Sequence, residues 1–294
     1  MDETRRGFLK TLGLGALGAG AAIPILEVLR PGSGEALAQV TGAAATKSGA
    51  RATGRQLAMV VDVEKCLRDD VRKACVEACD RTHNIPSIPD PKQIIEWTWS
   101  DPFGDVFADQ INEHTAETAR QAPVLLMCNH CTDPPCIRVC PTGATWKRAK
   151  DGIVMMDMHR CIGCRYCMAA CPFGARSFNW RDPRPYVQHD ANGKLLSDFP
   201  TRTKGVVEKC DFCAERVDVG SQPACVEAAN QVPGGEGALV FGDINDPDSD
   251  VSRILGERMA MVRRVSLGTG PNVYYLVPDA LPALAAGVEV EGEA

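Results

Sequence analysis

Fourteen cysteines fall into four groups along this 294-residue chain, and their spacing constrains it more than any other feature. The third group is Cys161-x2-Cys164-x2-Cys167-x3-Cys171, followed by Pro172. The second, Cys128-x2-Cys131-x4-Cys136-x3-Cys140 followed by Pro141, is the same pattern with two residues inserted. The fourth is Cys210-x2-Cys213-x11-Cys225 and the first Cys66-x8-Cys75-x3-Cys79, so every cysteine is used. Three cysteines on one tight loop wrap three corners of a cubane [4Fe–4S] cluster, and the fourth reaches to the other cluster of a pair. The proline after the last cysteine sets the chain direction there, because its ring fixes φ. Structural zinc comes as separated C-x2-C pairs and does not need the third close cysteine or the trailing x3-Cys-Pro. A disulfide scaffold belongs to shorter chains with less bunched cysteines.

The N-terminus reads as an address. Arg5-Arg6-Gly7-Phe8-Leu9-Lys10 precedes an uncharged stretch from Thr11 to Leu26, broken by Gly13, Gly15, Gly18 and Gly20. Ala36-Leu37-Ala38 supplies a small-residue cleavage site, with a mature start near Gln39. Twin arginines before a weakly apolar stretch resemble a Tat signal; a Sec signal or a retained N-terminal helix is the alternative. The Tat route moves folded proteins, so a cofactor assembled before export would reach the periplasm intact, whereas thiols sent out unfolded would tend toward disulfides. Thirty-two basic residues stand against 38 acidic ones, and residues 1–38 hold four of each sign, so the remainder keeps the whole acidic excess. That balance leaves no basic stripe for nucleic acid. The run Leu281 to Val288 is far short of the roughly twenty apolar residues of a membrane span, and an acidic tail from Glu289 to Ala294 follows it.

The chain resembles the four-cluster, polyferredoxin-like iron–sulfur beta subunits of membrane and periplasmic oxidoreductases over about residues 56–280. The resemblance is carried by Cys128-Asn-His-Cys131 with Pro134-Pro135-Cys136, by His159-Arg160-Cys161-Ile162-Gly163-Cys164-Arg165-Tyr166-Cys167, and by Lys209-Cys210-Asp211-Phe212-Cys213. Within the family it is most similar to the periplasmic subunits of sulfur-metabolism membrane complexes of the DsrMKJOP type. The residues pointing there are His83-Asn84-Ile85-Pro86, Met155-Met156-Asp157-Met158-His159 and Gly174-Ala175-Arg176-Ser177-Phe178-Asn179-Trp180. The resemblance implies an α+β fold of two nested ferredoxin-like units binding [4Fe–4S] clusters. The expected layout is a signal peptide (1–38), a linker (39–55), an outer unit in two halves (56–119 and 186–232), an inserted inner unit (120–185), and a C-terminal strand–helix–strand segment with its tail (233–294).

The same resemblance implies nested ligation. One cluster takes Cys128, Cys131, Cys136 and Cys171; a second takes Cys161, Cys164, Cys167 and Cys140; a third takes Cys210, Cys213, Cys225 and Cys79. The fourth set departs from the family. Cys75-Val-Glu-Ala-Cys79 and Cys225-Val-Glu-Ala-Ala229 are internal repeats, so Ala229 stands where a cysteine is expected, and Asp69 occupies the x2 position after Cys66. Both missing ligands belong to one cluster, which gives an expectation of three clusters with the vacated site at one end of the row. Cys66 and Cys75 are then left as a disulfide, a metal site with Asp69, or reduced remnants. The implied role is electron transfer without catalysis. The implied partners are an NrfD-like membrane subunit that handles quinone and a periplasmic multihaem cytochrome c. The competing reading is the electron-transfer beta subunit of a molybdopterin reductase of thiosulfate or tetrathionate type, or of a hydrogenase.

Other residues carry less. His83 and His130 read as hydrogen-bonding supports beside clusters already supplied with thiolates. Trp97 and Trp99 read as strand residues, and they and Trp180 as packing. Gly234-Gly235-Glu236-Gly237 lacks the lysine and hydroxyl of a phosphate loop. A strand is expected over Ala238–Gly242, a helix from about Asp250 to Arg263 and a strand over Val273–Val277.

Overall fold

The computed structural model describes residues 54–277. The address segment, the mature start near Gln39 and the tail from Glu289 lie outside the described residues. Helices and strands mix throughout, in keeping with an α+β fold. Leu57–Asp62 (β1) is apolar until its last residue and is buried at every position, as a central strand covered on both faces must be. It pairs antiparallel with Leu239–Asp243 (β8) and parallel with Val273–Leu276 (β10), and β10 pairs with Ala260–Met261 (β9), giving the sheet order β8-β1-β10-β9. The period of two divides the strand's side chains between two cores. Leu57, Met59 and Val61 enter the main core, while Ala58 and Val60 face Ile244, Val251 and Leu276 under the helix Asp250–Glu257.

That helix starts as expected, with the Ser249 hydroxyl accepting from Ser252 N–H at 3.2 Å. It ends at Glu257, six residues earlier than the sequence reading placed it. Arg258 turns extended, and Ala260 and Met261 pair with β10. The ladder claims residues that helical periodicity alone would have kept. The last strand likewise stops at Leu276, one residue short.

Three two-stranded ribbons carry the cysteine loops. They pair Thr98–Pro102 (β2) with Pro123–Met127 (β3), Thr145–Lys147 (β4) with Val154–Met156 (β5), and Ser177–Phe178 (β6) with Val207–Glu208 (β7). Trp99 lies in β2, but Trp97 precedes it and is buried to 2% exposure, its indole N–H donating to Glu208 at 2.8 Å. The repeated Cys-Val-Glu-Ala segments fall on two helices, Asp69–Thr82 and Ala224–Gln231, which pack side by side. Residues 57–82 and 224–276 therefore share one sheet and one helix pair. No helix among the described residues is long and apolar enough to cross a membrane.

Candidate metal centre

The second and third cysteine groups converge in two small cavities. Cys128, Cys131, Cys136 and Cys171 line one, beside Val154, Phe173 and Arg176. Cys140, Cys161, Cys164 and Cys167 line the other, beside Thr142, Met156, Ile162 and Val207. Each cavity thus takes its fourth sulfur from the loop that supplies three to its neighbour. Local backbone makes this possible. Gly163 sits at φ +69°, and a Cβ there would lie 2.3 Å from the Gly205 carbonyl oxygen, so only glycine lets the loop close against the 205 segment. Arg165 and Cys213 hold left-handed backbone immediately before the short helices Tyr166–Ala170 and Ala214–Val217. At these turns the chain reverses between successive cysteines.

Cys79, Cys210, Cys213 and Cys225 form a third gathering, all at 8% exposure or less. Burial pushes the Cys79 and Cys213 thiols far up. Cys210 and Cys225 add to that at Cys79, while Cys225 and Cys79 do so at Cys213. Burial likewise raises Cys225 to about 11 and Cys131 to about 12. Four buried thiols that cannot easily ionise alone are what a soft, multiply charged metal group would have to deprotonate on binding. The sulfur environment suits such a group. Backbone N–H groups of Gly163 and Val207 reach Cys161 Sγ at 3.4 and 3.5 Å, and those of Phe212 and Ala224 reach Cys210 and Cys213 Sγ at 3.4 Å each. At Cys140 burial acts upward, but N–H donors of Thr145, Thr142 and Ala144 and the Thr142 hydroxyl outweigh it and hold the thiol below its ordinary value. Sulfur-only donor sets with N–H donors behind them fit [4Fe–4S] ligation.

Neighbouring thiols define an order. Cys167 is influenced by Cys136, Cys210 by Cys128, and both Cys66 and Cys75 by Cys225. These neighbours link the Cys161 group to the Cys128 group, the Cys128 group to the Cys210 group, and the Cys210 group to Cys66 and Cys75. Those two are separate thiols, each at 0% exposure. Cys66 Sγ donates to the Ala238 carbonyl at 3.8 Å and Cys75 Sγ to that of Cys225 at 3.5 Å. Burial, helped by Asp62, pushes Cys66 up to about 12. Val71, Ala229 and Ala238 complete an apolar core around them, while Asp69 points outward at 61% side-chain exposure and pairs with Lys73 and Arg72. The thiols and the carboxylate are not gathered on one site.

His83 is buried, with Nδ1 3.1 Å from the Cys79 carbonyl oxygen and Nε2 3.2 Å from Glu215 and 3.6 Å from Asp211. With Cys213 and Glu215 it forms a cluster of metal-capable donors lying within 4.8 Å of one another, but Cys213 already belongs to the third gathering. His130 Nδ1 accepts the Val154 N–H at 3.0 Å, and its ring stacks on Phe212 at 3.7 Å. Burial, with Lys209 and Arg176 nearby, holds it far below its usual value and therefore neutral. Both histidines stand beside cysteine loops as supports.

Sequence reasoning assigned no role to the buried charges between these loops. Arg202 and Glu208, both at 0% side-chain exposure, pair at 2.7 Å. Glu208 also accepts from Asn179 Nδ2 at 2.6 Å. Lys209 is 1% exposed and donates to the carbonyls of Val154 and Cys210. Arg176 is 5% exposed against the Cys128 cavity. A basic residue beside a cysteine motif is the only signal the sequence holds for them, and it does not separate a buried cation from a surface one.

Two four-sulfur cavities and a further gathering of four buried cysteines on an α+β frame define an iron–sulfur electron carrier. Comparison with known proteins agrees: a 4Fe-4S dicluster domain matches residues 124–184. The chain is 41% identical over 238 residues to the Hdr-like menaquinol oxidoreductase iron-sulfur subunit 1 of Archaeoglobus fulgidus, covering 75% of this chain and 83% of that protein. It is 36% identical over 232 residues to the iron-sulfur cluster-binding subunit of menaquinone reductase of Nitratidesulfovibrio vulgaris (74% and 87%), and 32% identical over 223 residues to the NrfC homolog of Haemophilus influenzae (76% and 80%). The chain belongs to this family of iron–sulfur electron-transfer subunits of oxidoreductase complexes, whose members carry electrons and are not the catalytic subunits.

Proposed function

We propose that this protein carries three [4Fe–4S] clusters and conducts electrons as the periplasmic iron–sulfur subunit DsrO of a DsrMKJOP-type sulfur-metabolism complex. The clusters are held by Cys161, Cys164, Cys167 and Cys140; by Cys128, Cys131, Cys136 and Cys171; and by Cys210, Cys213, Cys225 and Cys79. The observation that carries the reading is the grading of exposure along the row. Three of the four sulfurs are half-buried in the first group, two in the second and none in the third. Beyond the third lie the apolar-packed Cys66 and Cys75. A terminal vacancy shortens the row without interrupting it, whereas an internal one would break electron tunnelling, which falls steeply with distance. The open end displays Ile162 at 65% and Tyr166 at 62% exposure, beside Trp180 at 45% under the Arg165 guanidinium. Exposed apolar and aromatic side chains rimmed by charge are the makings of a docking surface.

The partners under this reading are an NrfD-like membrane subunit that exchanges electrons with quinone and a periplasmic multihaem cytochrome c. Relatives named for menaquinol oxidoreductase and menaquinone reductase support the quinone side. Export by the twin-arginine route would bring the protein to the periplasmic face of the membrane, held there through its complex. The test is anaerobic purification of the native complex after mild solubilisation. About twelve irons per chain, a polytopic membrane subunit, a c-type haem protein and bleaching of the 400 nm band by menaquinol are expected. A co-purifying molybdopterin subunit in their place would instead make the chain the beta subunit of a tetrathionate-type reductase. About sixteen irons would overturn the three-cluster assignment.

A further inference from the structure

Arg176 follows the Cys171-Pro172 turn, its N–H donating to the Gly174 carbonyl at 2.8 Å, and its side chain runs inward. Nη2 donates to the Thr145 hydroxyl at 2.9 Å and Nη1 approaches Met156 Sδ at 3.8 Å. Both acceptors are neutral. Among the described residues no carboxylate pairs with it, whereas the buried guanidinium of Arg202 has Glu208 and the half-buried one of Arg148 has Asp151. Arg176 lines the Cys128 cavity, and Met156, which it approaches, lines the Cys161 cavity, so the sulfurs it faces, Cys136 and Cys128 of one gathering and Cys167 of the other, belong to both. Lys209 and Arg263 are also buried and, among the described residues, make no ion pair with a carboxylate, although Asp211 and Asp101 lie near them; one is bonded to the Cys210 carbonyl and the other lies over the Phe173 ring beside Cys171.

Burying one unpaired cation is expensive, and placing three around one cavity would be more so, unless a negative group sits among them. A four-thiolate [4Fe–4S] group is such an anion, and its charge grows by one when it accepts an electron. We propose that Arg176 is a positioning residue for electron transfer, bridging the Cys128 and Cys161 clusters as their shared counter-charge and raising both reduction potentials together. The inference rests on the cluster assignment above. No proton moves and no bond is made or broken: an electron enters one cluster or the other, and the fixed guanidinium stabilises the added charge in either place. Because the same cation faces both, the two potentials shift in step, and the energy difference between donor and acceptor along the row stays small.

The experiment is a redox titration of the anaerobic holoprotein followed by electron paramagnetic resonance, on wild type, Arg176→Met, Arg176→Lys and Thr145→Val. In Arg176→Met the reduction equilibria of two clusters weaken about tenfold or more, about 59 mV for each tenfold, while the third stays near its wild-type value. Arg176→Lys restores most of the shift. Thr145→Val, which frees the guanidinium from its hydroxyl, shifts the same two clusters less, and it decides the matter should Arg176→Met fail to retain iron. Unmoved potentials in an iron-replete Arg176→Met, or in Thr145→Val where that variant decides, overturn the proposal, as does an equal shift of all three clusters. A wild-type protein lacking two interacting cluster signals would overturn the cluster assignment itself.

Discussion

Glu208→Gln tests whether the buried charge network, and not the sulfur loops alone, holds this fold. The Glu208 carboxylate accepts from Trp97 Nε1 at 2.8 Å and Asn179 Nδ2 at 2.6 Å and pairs with Arg202 at 2.7 Å. Arg202 in turn donates to the carbonyls of His83 and Asn84. Four stretches of the chain, at residues 83–84, 97, 179 and 202–208, meet there, and Glu208 precedes Lys209-Cys210, which opens the third sulfur gathering. Glutamine keeps the shape but turns one acceptor into a donor facing other donors, and it leaves the guanidinium uncompensated at 0% side-chain exposure. Breaking a buried pair from one side costs about 3–5 kcal/mol. In a domain of this size each kcal/mol moves Tm by about 2–4 °C, so a fall of about 6–20 °C is expected. The assay is thermal melting of the anaerobic holoprotein by circular dichroism, with loss of the 400 nm band recorded in the same scan. Glu208→Leu combined with Arg202→Met, which removes both charges, should lose less than the single change. A single variant melting within about 2 °C of wild type would refute the reasoning, because it would mean that water already screens the pair.

Gly163→Ala places a Cβ 2.3 Å from the Gly205 carbonyl at a φ of +69°. The left-handed backbone alone costs about 1–2 kcal/mol, and the clash adds to it. The Cys161 loop should therefore open, with anaerobically prepared protein losing about four irons; full iron retention would be the contrary result. Asp80 is pushed up to about 6 by burial, reinforced by Glu96 and Glu77. The folded state thus binds its proton more tightly than the unfolded chain, and this contribution is present at low pH and lost as pH rises from about 4 to about 6. Asp80→Asn should accordingly stabilise the protein by about 1–3 kcal/mol at pH 7 and by little at pH 4, read as Tm against pH.

Four cysteine groups, two of them in a run that only iron–sulfur loops use, determined the chemistry by themselves, because thiolate spacing is local and a cubane fits few loops. The sequence also shows where the fourth set departs from the pattern, since Ala229 interrupts a repeat that can be read in one dimension. The reading of an address segment with its arginine pair rests on the same kind of local signal and lies outside the described residues. The end of the helix at Glu257 was not legible locally, because ladder partners for Ala260 and Met261 come from β10, which no local period reveals. Nor was the fate of Cys66 and Cys75. Only the packing beside Val71, Ala229 and Ala238 places both of them in the core. Arg176 and Lys209 stand in the motifs that carry the resemblance, but nothing local shows that they or Glu208 are buried. Whether a charge lies in water or between two sulfur cavities depends on chain segments up to a hundred residues away, and the tertiary structure alone decided that.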